Sequence, residues 1–234
     1  MKRLSVIIPT YQHASAIVAC LESLFLQTRL PNEVIVIDDG STDETKTRLA
    51  PFLDRLVYVF QENQGEQQAR MRGFEQSTGE LVLFCDADVV LKPTALEKME
   101  QALEEHPGAS YAYASFRFGW KRFHSFPFDP SRLRRLNYIH TCSLLRRADF
   151  PGFDLSIKKF QDWDVWLTML EAGKTGVFIP EMLFEVRVDH QRGGISNWMP
   201  AFMYRFPWRL LRWKKEARRK YEVGKEAIKN KHGL

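Results

Sequence analysis

The sequence predicts an α/β fold, in which a mostly parallel sheet is flanked by helices. Short, continuous apolar runs rich in β-branched residues recur through the first half of the 234-residue chain. Amphipathic segments with helical periodicity separate these runs, and a polar cluster follows each run directly. Strands that read as continuous apolar runs are typical of a parallel sheet covered on both faces.

The composition favours a soluble, cytoplasmic protein. Hydrophobic residues make up 44% of the chain and charged residues 27%, which is ordinary for a globular domain. No uninterrupted apolar run approaches the roughly 20 residues that a membrane-spanning helix needs. The N-terminal apolar stretch is too short for a signal peptide and no small-residue cleavage site follows it.

The elements of the first half follow one another in a strand–helix alternation. Strands are predicted at 4–8, where Pro9 ends the run, and then at 33–37, 56–60 and 81–85. Helices are predicted at about 14–27, from 42 onward, at about 67–76 and from 92 onward. The first helix has Ile17, Leu21 and Leu24 at helical spacing.

The pattern changes after Gly108. Residues 111–118 alternate and are aromatic, which predicts a strand at or near the sheet edge. Residues 119–130 lack a period and are interpreted as a functional loop. A helix near 162–172 and a strand through 177–179 complete the body.

The positive charge is concentrated at the C-terminal end. The whole chain carries +5, whereas residues 205–234 hold eleven Lys and Arg against three acids, so the preceding residues carry −3. From Trp198 onward the basic residues alternate with aromatic ones and predict a helical tail. Two interpretations stay open: an interfacial helix on an anionic membrane, or a helix docked on the domain. Nucleic acid is not an expected partner, because the body is acidic and shows no recognition module.

The three cysteines predict neither disulfides nor a zinc site. Cys20, Cys85 and Cys142 are odd in number and widely spaced. Cys85 lies within the apolar run 81–85, so it is expected to be a small buried hydrophobic residue.

Four polar clusters stand directly after predicted strands, namely Pro9-Thr10-Tyr11, Asp38-Asp39-Gly40-Ser41, Asn63-Gln64-Gly65 and Asp86-Ala87-Asp88. Because the carboxyl ends of parallel strands share one rim, these clusters are expected to be neighbours at a ligand site. Acids on this rim would repel a phosphate unless a divalent cation lies between them. Carboxylates favour Mn²⁺ or Mg²⁺, either of which binds phosphate oxygens as well.

These motifs, together with Val6-Ile7-Ile8 before Pro9, Ala69-Arg70 and Gln161-Asp162-Trp163-Asp164, resemble the family 2 glycosyltransferases. The resemblance covers roughly residues 4–196. It implies the GT-A fold, a Rossmann-like, mostly parallel sheet flanked by helices, with a C-terminal basic helical tail here. It also implies a nucleotide-sugar donor, for which a UDP-sugar is the expectation.

The resemblance implies a role for each matching nucleotide-binding residue. Pro9, Thr10 and Tyr11 would line the nucleobase pocket, and Asp39 would bind the base or ribose. Arg70 would reach the base or the phosphates.

It also implies the metal ligands and the catalytic base. Asp88 would bind the metal, and Asp86 would contact ribose or reach the metal through water. His190, in an Arg-x-x-His pattern, is a third candidate metal ligand, with an exposed or structural histidine as the alternative. Asp162 would be the catalytic base.

The implied reaction is metal-dependent transfer of a sugar to a hydroxyl group with inversion at the anomeric carbon. A metal neutralises the diphosphate leaving group, and a carboxylate takes the proton of the acceptor. Two residues depart from the family pattern: Met71 stands where Asn is usual, and Gln161 replaces the common Glu before Asp162.

Several residues near these motifs have plainer interpretations. For Asp38 the alternative interpretation is a turn-forming residue that binds only its own backbone. Asp164 points to a different helix face from Asp162 and is expected to interact favourably with the helix dipole. Trp163 and Trp166 are expected in the core, and His140 is a weaker candidate on the acceptor side.

The predicted organisation is a glycosyltransferase domain at 1–197, with a nucleotide-binding half at 1–90 and an acceptor half at 91–197, and a tail at 198–234. A glycan or lipid-linked acceptor of the cell envelope is expected, with the protein peripheral on the inner face of the membrane. The alternative functions are a catalytically silent nucleotide-sugar-binding scaffold and a nucleotidyltransferase. The second would need a Gly- and basic-rich loop after the first strand, which Pro9-Thr10-Tyr11-Gln12-His13 does not provide.

Overall fold

A computed structural model describes residues 1–187 and 212–234. Its strands are β1 (Leu4–Thr10), β2 (Glu33–Asp38), β3 (Val57–Phe60), β4 (Leu81–Phe84), β5 (Val89–Leu91), β6 (Ala109–Phe118), β7 (Lys121–Phe123), β8 (Leu144–Arg146) and β9 (Thr175–Val186). Its helices are α1 (Ile17–Phe25), α2 (Thr45–Leu49), α3 (Glu66–Gln76), α4 (Ala95–Glu105), α5 (Pro130–Leu133), α6 (Gln161–Glu171) and α7 (Arg212–His232). Two 3-10 turns lie at Ala50–Phe52 and Arg147–Asp149.

The strands form one sheet in the order β3-β2-β1-β4-β8-β6-β9-β5, with β7 paired to β6. The neighbours from β3 to β4 are parallel, as are β6 and β9. β8 is antiparallel to β4 and β6, and β5 is antiparallel to β9. The predicted α/β sheet flanked by helices is confirmed, and its second half is mixed.

Residues 111–118, which the sequence predicts as a strand at or near the sheet edge, form an interior strand, because β9 and β5 lie beyond β6 on that side of the sheet. β6 lies between β8 and β9, and its residues 109–115 are all buried. Its alternation reflects two different apolar environments: Tyr111 and Tyr113 face one core cluster, whereas Ala112 and Ala114 face the other. The three-residue strands β5, β7 and β8 were not predicted, and β7 lies within the expected loop at 119–130.

Pro9 does not end β1, which continues through Thr10. Ile7 accepts a hydrogen bond from the Cys85 amide on the β4 side, and residue 9 faces the same side. Because β4 has ended at Phe84, the missing N–H of Pro9 costs the sheet no ladder bond.

The two faces of the sheet are covered by different helices. One core cluster joins Val6 and Ile8 of β1 with α1 and α4. The other joins Ile7 with α6 and Ile228 of α7. All three cysteines are free and buried, as predicted for Cys85, and the Sγ atoms of Cys20 and Cys85 lie 3.8 Å apart.

The C-terminal end of α7 packs on the domain. Ile228 is fully buried, and Lys231 Nζ lies 2.8 Å from carboxylate oxygens of both Asp154 and Asp164. His232 bridges Asp164 and Glu171 at 2.9 and 2.7 Å. These contacts favour the docked interpretation for residues 221–234. Among the described helices, none combines the length and apolar character that crossing a bilayer requires.

Candidate active site

The candidate site lies where β1, β2 and β4 end and where α3 and α6 begin. The amide of Asp39 donates to the Thr10 carbonyl at 2.8 Å, which joins the ends of β1 and β2. Pro9 and Thr10 are buried and Tyr11 is 45% exposed. Thr10 Oγ1 is buried with no hydrogen-bond partner in the described part of the chain. This orphaned hydroxyl is a polar group for which a ligand could supply the partner.

Asp39 holds the loop that precedes α3. Its carboxylate accepts hydrogen bonds from Gln61 Nε2 at 2.7 Å and from the amides of Gln64 and Gly65, both at 2.8 Å. A carboxylate offers about four acceptor positions, so one remains for a nucleoside donor group. Gly40, the residue after Asp39, has a φ of +84°, and an added Cβ there would lie 2.9 Å from the Asn63 amide nitrogen.

Arg70 is the buried cation of the site. Its side chain is 3% exposed, and its Nη2 donates to Asp86 Oδ1 at 2.6 Å and to Glu66 Oε1 at 2.7 Å. Its Nη1 donates to Gln161 Oε1 at 3.4 Å. Arg70 therefore joins the start of α3, the end of β4 and the start of α6.

The carboxylates around Arg70 differ in charge environment. Burial raises the pKa of Asp86, but the charge and hydrogen bond of Arg70 outweigh it and hold that pKa below its ordinary value. Burial, followed by the charge of Asp86, raises the pKa of Asp88 to about 7. Burial also raises the pKa of Glu66, since the charge of Arg70 does not fully offset it.

The Asp86–Asp88 pair is chemically suited to a divalent cation. Asp86 is engaged by Arg70, whereas the negative field of Asp86 and Glu66 at the Asp88 carboxylate is only partly offset by Arg70 and a backbone hydrogen bond, so a cation would stabilise its ionised form. No group of three or more His, Cys, Asp or Glu with metal-binding geometry occurs among residues 1–187 and 212–234.

Asp162 occupies the first turn of α6, half-buried, and its Oδ1 accepts from the Trp163 amide at 2.9 Å. That bond fixes the carboxylate and leaves Oδ2 available. Phe160, immediately before the helix, is left-handed with φ of 61°. The side-chain Oε1 of the preceding Gln161 accepts a hydrogen bond from Arg70. A neutral amide therefore stands beside Asp162 instead of a second carboxylate.

His140 borders the same site. Its ring packs against both Phe116 and Phe184, with centroid distances of 4.8 and 5.1 Å. Its Nδ1 accepts from the Cys142 amide at 3.0 Å, which places the proton of a neutral ring on Nε2. Burial lowers the pKa of His140, although the charges of Asp86 and Asp162 oppose that shift.

The plainer interpretations hold for four residues. Asp38 accepts from the Ser41 amide at 2.8 Å and from Tyr58 Oη at 2.9 Å, as a turn-forming aspartate does. Trp163 and Trp166 are buried and donate to carbonyls of Leu133 and Ile139. Asp164 is buried away from the rim.

Asp164 differs from its expectation in one respect, because it serves as the anchor of α7 rather than only as a first-turn acid. Met71 Sδ accepts from the Phe153 amide at 3.4 Å, so this departure from the family pattern contacts the loop before α6. His190 lies outside the described residues, and so do Trp198 and the other aromatic residues of the tail up to residue 211.

Glu66 is the residue of the site that sequence reasoning missed. It begins α3 and lies four residues before Arg70, so both side chains share one helix face. The four-residue spacing of Glu66 and Arg70 is visible in the sequence, directly after Asn63-Gln64-Gly65. The inward direction of the Glu66 side chain is not, because it depends on how Gly65, with φ of +95°, turns the chain into the helix.

Comparison with known proteins places this arrangement in a family. Residues 5–156 match the family described as Glycosyl transferase family 2. The chain belongs to glycosyl transferase family 2. A PGL/p-HBAD biosynthesis glycosyltransferase from Mycobacterium tuberculosis is 33% identical over 221 residues, which cover 87% of this chain and 83% of the relative.

Other relatives are longer than the region they share with this chain. The uncharacterized glycosyltransferase YibD of Escherichia coli is 38% identical over 138 residues, which is 56% of this chain and 40% of YibD. Among solved structures, S. aureus TarS 1-349 in complex with UDP matches with a TM-score of 0.68 and 22% identity, over 80% of this chain and 61% of that one. The mannosyltransferase PcManGT of Pyrobaculum calidifontis, in complex with GDP-Man and Mn²⁺, has a TM-score of 0.67 and 22% identity, over 82% and 58%. These two structures share the fold.

Proposed function

We propose that this chain transfers a sugar from a nucleotide diphosphate donor, a UDP-sugar, to a hydroxyl of a glycan or lipid-linked acceptor, with inversion. The observation that carries the proposal is Arg70, whose guanidinium contacts Asp86 and Gln161 and so keeps the Asp86-Ala87-Asp88 turn beside Asp162. The metal ligands and the base proposed for the reaction are thereby held at one rim.

The donor would lie along the ends of β1 and β2. Pro9, Thr10 and Tyr11 would border the base, and the free acceptor position of Asp39 would receive a donor group of the base or ribose. The UDP complex of TarS and the GDP-Man complex of PcManGT support a nucleotide ligand for this fold.

Asp88 would hold a Mn²⁺ or Mg²⁺ ion directly, with Asp86 behind it or linked through water, and His190 is the further ligand we propose. When bound, the ion supplies positive charge to the departing diphosphate. Arg70 would keep Asp86 ionised and add charge near the phosphates. The Mn²⁺ present in the PcManGT complex supports this choice.

Asp162 would take the proton of the acceptor hydroxyl. The hydroxyl oxygen forms a bond to the anomeric carbon while the bond from that carbon to the diphosphate oxygen breaks, and the proton passes to Asp162. The Trp163 amide fixes Oδ1, so Oδ2 is the oxygen placed to accept it.

The proposed organisation divides the chain at the rim. The nucleotide-binding half would run to residue 90 and the acceptor half to residue 197, followed by the tail from 198. An acceptor attached to lipid would place the enzyme at the inner face of the cell membrane.

The test is Asp162→Asn with a UDP-sugar panel and a glycan or lipid-linked acceptor. Transfer should fall by about 10²–10⁴-fold, because a positioned base contributes that much. Stabilisation by UDP and Mn²⁺ should persist. Asp54→Asn, on an exposed position, is the matched control and should transfer normally.

Two outcomes would contradict the proposal. Unchanged transfer by Asp162→Asn would remove this residue from the role of base. A wild-type chain that binds the donor and transfers to no acceptor would favour the silent nucleotide-sugar-binding scaffold.

A further inference from the structure

The hairpin of β6 and β7 carries an exposed tryptophan at its tip. Trp120 is 85% exposed and follows Gly119 in the turn between the strands. Arg117 and Arg122 face each other across the hairpin and are both exposed. A tryptophan left in water beside cations is costly for a free protein and typical of a side chain that enters a membrane interface.

A second exposed group lies beyond the hairpin. Arg134, Arg135 and Leu136 follow α5 and are exposed, with Leu136 at 49%. The hairpin base is tied to this segment, because Ser125 Oγ donates to the Tyr138 carbonyl at 2.8 Å and the Asp129 amide contacts Tyr138 Oη at 3.2 Å. We name the exposed arginines and the exposed large apolar residues of 117–136 the Trp120 surface; they are Arg117, Trp120, Arg122, Arg134, Arg135 and Leu136.

The net charge of residues 117–136 equals that of the whole chain. Residues 117–136 hold six Lys and Arg against one acid, a surplus of five, while the chain carries +5 and the tail from 205 carries +8. The remaining residues therefore carry −8. Arg117 pairs with Glu185 and Arg135 acts electrostatically on Asp129, so the cations of this surface without a described acidic partner are Arg122 and Arg134. The positive potential of this surface attracts an anionic partner, whereas the negative net charge of the rest of the body repels one.

The Trp120 surface lies beside the candidate active site. The Gly119 amide donates to the Val186 carbonyl at 3.0 Å, and the next residue, Arg187, donates its amide to the Asp88 carbonyl at 2.9 Å. On the other side, the Leu133 carbonyl accepts from Trp163, the neighbour of Asp162. A membrane that met this surface would present its acceptor head groups to the rim.

We infer that the Trp120 surface binds an anionic lipid bilayer, with Trp120 in the interface and Arg122, Arg134 and Arg135 on the head groups. This inference deepens the proposed function, since it assigns the membrane contact to the acceptor half. It is separate from the tail, whose end is docked through Lys231 and His232.

The experiment measures co-sedimentation of the full chain with phosphatidylcholine vesicles, with and without phosphatidylglycerol. Arg122→Glu/Arg134→Glu should weaken binding to the anionic vesicles at least tenfold, since each cation near such a surface contributes roughly fivefold. Lys46→Glu/Lys92→Glu makes the same change of charge at two exposed positions of the first half and should bind as the wild type does. Trp120→Ser should also weaken binding, whereas Phe60→Ser, at a 54% exposed position of β3, should not.

Stabilisation by UDP and Mn²⁺ is measured on the same proteins, so the two proposals fail separately. Loss of vesicle binding with retained nucleotide binding supports the inference. Equal binding by Arg122→Glu/Arg134→Glu and its control would overturn it, and so would a wild type that ignores anionic vesicles. If Trp120→Ser raised only the acceptor KM while vesicle binding stayed normal, Trp120 would be a sugar platform and the inference would be wrong.

Discussion

Arg70 is a buried cation that joins two carboxylates and one amide from three parts of the chain. It donates to Glu66 and Asp86, and its Nε is buried without a partner within the described residues. The planar guanidinium reaches Asp86 and Gln161 at once, which the point charge of a lysine does not allow. The geometry of the candidate site therefore depends on the shape of this side chain as well as on its charge.

Replacement of Arg70 by Gln should destabilise the protein strongly. The change leaves the partly exposed carboxylates of Glu66 and Asp86 without their buried cation, and removal of one partner of a fully buried pair costs about 3–5 kcal/mol, which is the upper bound here. Chemical denaturation of the variant should report this loss. Arg48→Gln removes an exposed cation from an i,i+4 pair with Glu44 and should cost less than about 1 kcal/mol. Similar losses for the two variants would show that Arg70 is not the buried hub described here.

Gln161 offers a prediction in the opposite direction. Its amide oxygen accepts from Arg70 where a Glu is common in the family, so Gln161→Glu would place a third carboxylate on the same guanidinium. The variant should keep its fold within about 1 kcal/mol, because the new charge meets a cation. Its pH–rate profile should move to higher pH than that of the wild type, since the substitution adds a negative charge beside the proposed base. An unchanged profile would place residue 161 outside the electrostatic range of the base.

At the scale of elements, α3 depends on its close approach to the sheet. Gly73 lies on the face of α3 that meets β1, and a Cβ there would stand 2.4 Å from Ile7 Cγ2 and 3.3 Å from Ile37 Cγ1. Both isoleucines are buried in the middle of their strands, so neither can move away freely. The same helix carries Arg70 about one turn and Glu66 about two turns earlier, so the packing of α3 on β1 also positions the candidate site.

Gly73→Ala should therefore destabilise the protein by about 1–3 kcal/mol, as overpacked core positions do, even though alanine favours helices. Gly108→Ala is the matched control, because nothing lies within 4 Å of its added Cβ. Denaturant midpoints of the two variants provide the measurement. A Gly73→Ala protein as stable as the wild type would mean that α3 has room to shift.

The docking of α7 should respond to acid. Hydrogen bonds from Lys231 and Ser156 lower the pKa of Asp154 to about 2, below its ordinary 3.8. A depressed pKa stabilises the folded state above the unfolded value, and this contribution is lost as the pH falls through about 4 toward 2. Asp154→Asn should reduce this part of the acid dependence, at a cost at neutral pH of less than about 1 kcal/mol for so exposed a pair. Melting temperatures of both proteins from pH 5 to pH 2 provide the test, and parallel curves would contradict it.

The elements that the sequence predicted well are those whose pattern is local. Continuous apolar runs identified β1 to β4, because buried parallel strands need no polar face. The interior position of β6 was missed, because its alternation of tyrosine with alanine reflects two different apolar core clusters rather than one buried and one solvent-exposed face. β5 and β8 have three residues each, too few for a period, and they form through pairing with strands distant in sequence.

The candidate site shows the same division between local and tertiary information. The order of motifs along the chain was sufficient to expect Asp39 and Asp86 on a shared rim, and Asp162 was implied only by the family resemblance. Their partners depend on tertiary contacts between distant segments, such as Arg70 with Gln161 and Asp39 with the Gly65 amide. No spacing rule in the sequence connects those pairs.

At the scale of the whole molecule, acidic and basic residues are concentrated in different regions, and we expect these regions to bind different partners. The first half supplies the carboxylates of the rim, whereas the hairpin segment and the tail carry the positive surplus. A nucleotide diphosphate approaching the acidic rim meets Asp86 and Asp88 beside a single buried arginine. One cation is insufficient to neutralise two carboxylates, Glu66 and a diphosphate together, so binding of the nucleotide should require added divalent metal.

UDP should thus raise the melting temperature only when Mn²⁺ or Mg²⁺ is present. At a free concentration one hundred times Kd, ligand binding contributes about 2.7 kcal/mol, which for a chain of this size is a shift of about 5–10 °C. EDTA should abolish the shift, and Asp88→Asn should abolish its metal-dependent part while leaving the metal-free melting temperature no lower than that of the wild type. The variant removes a carboxylate whose ionisation near neutral pH is opposed by burial and by Asp86, so its apo form loses nothing. A full shift by UDP in EDTA would show that Arg70 and backbone amides suffice for the diphosphate, and the metal would leave the proposed mechanism.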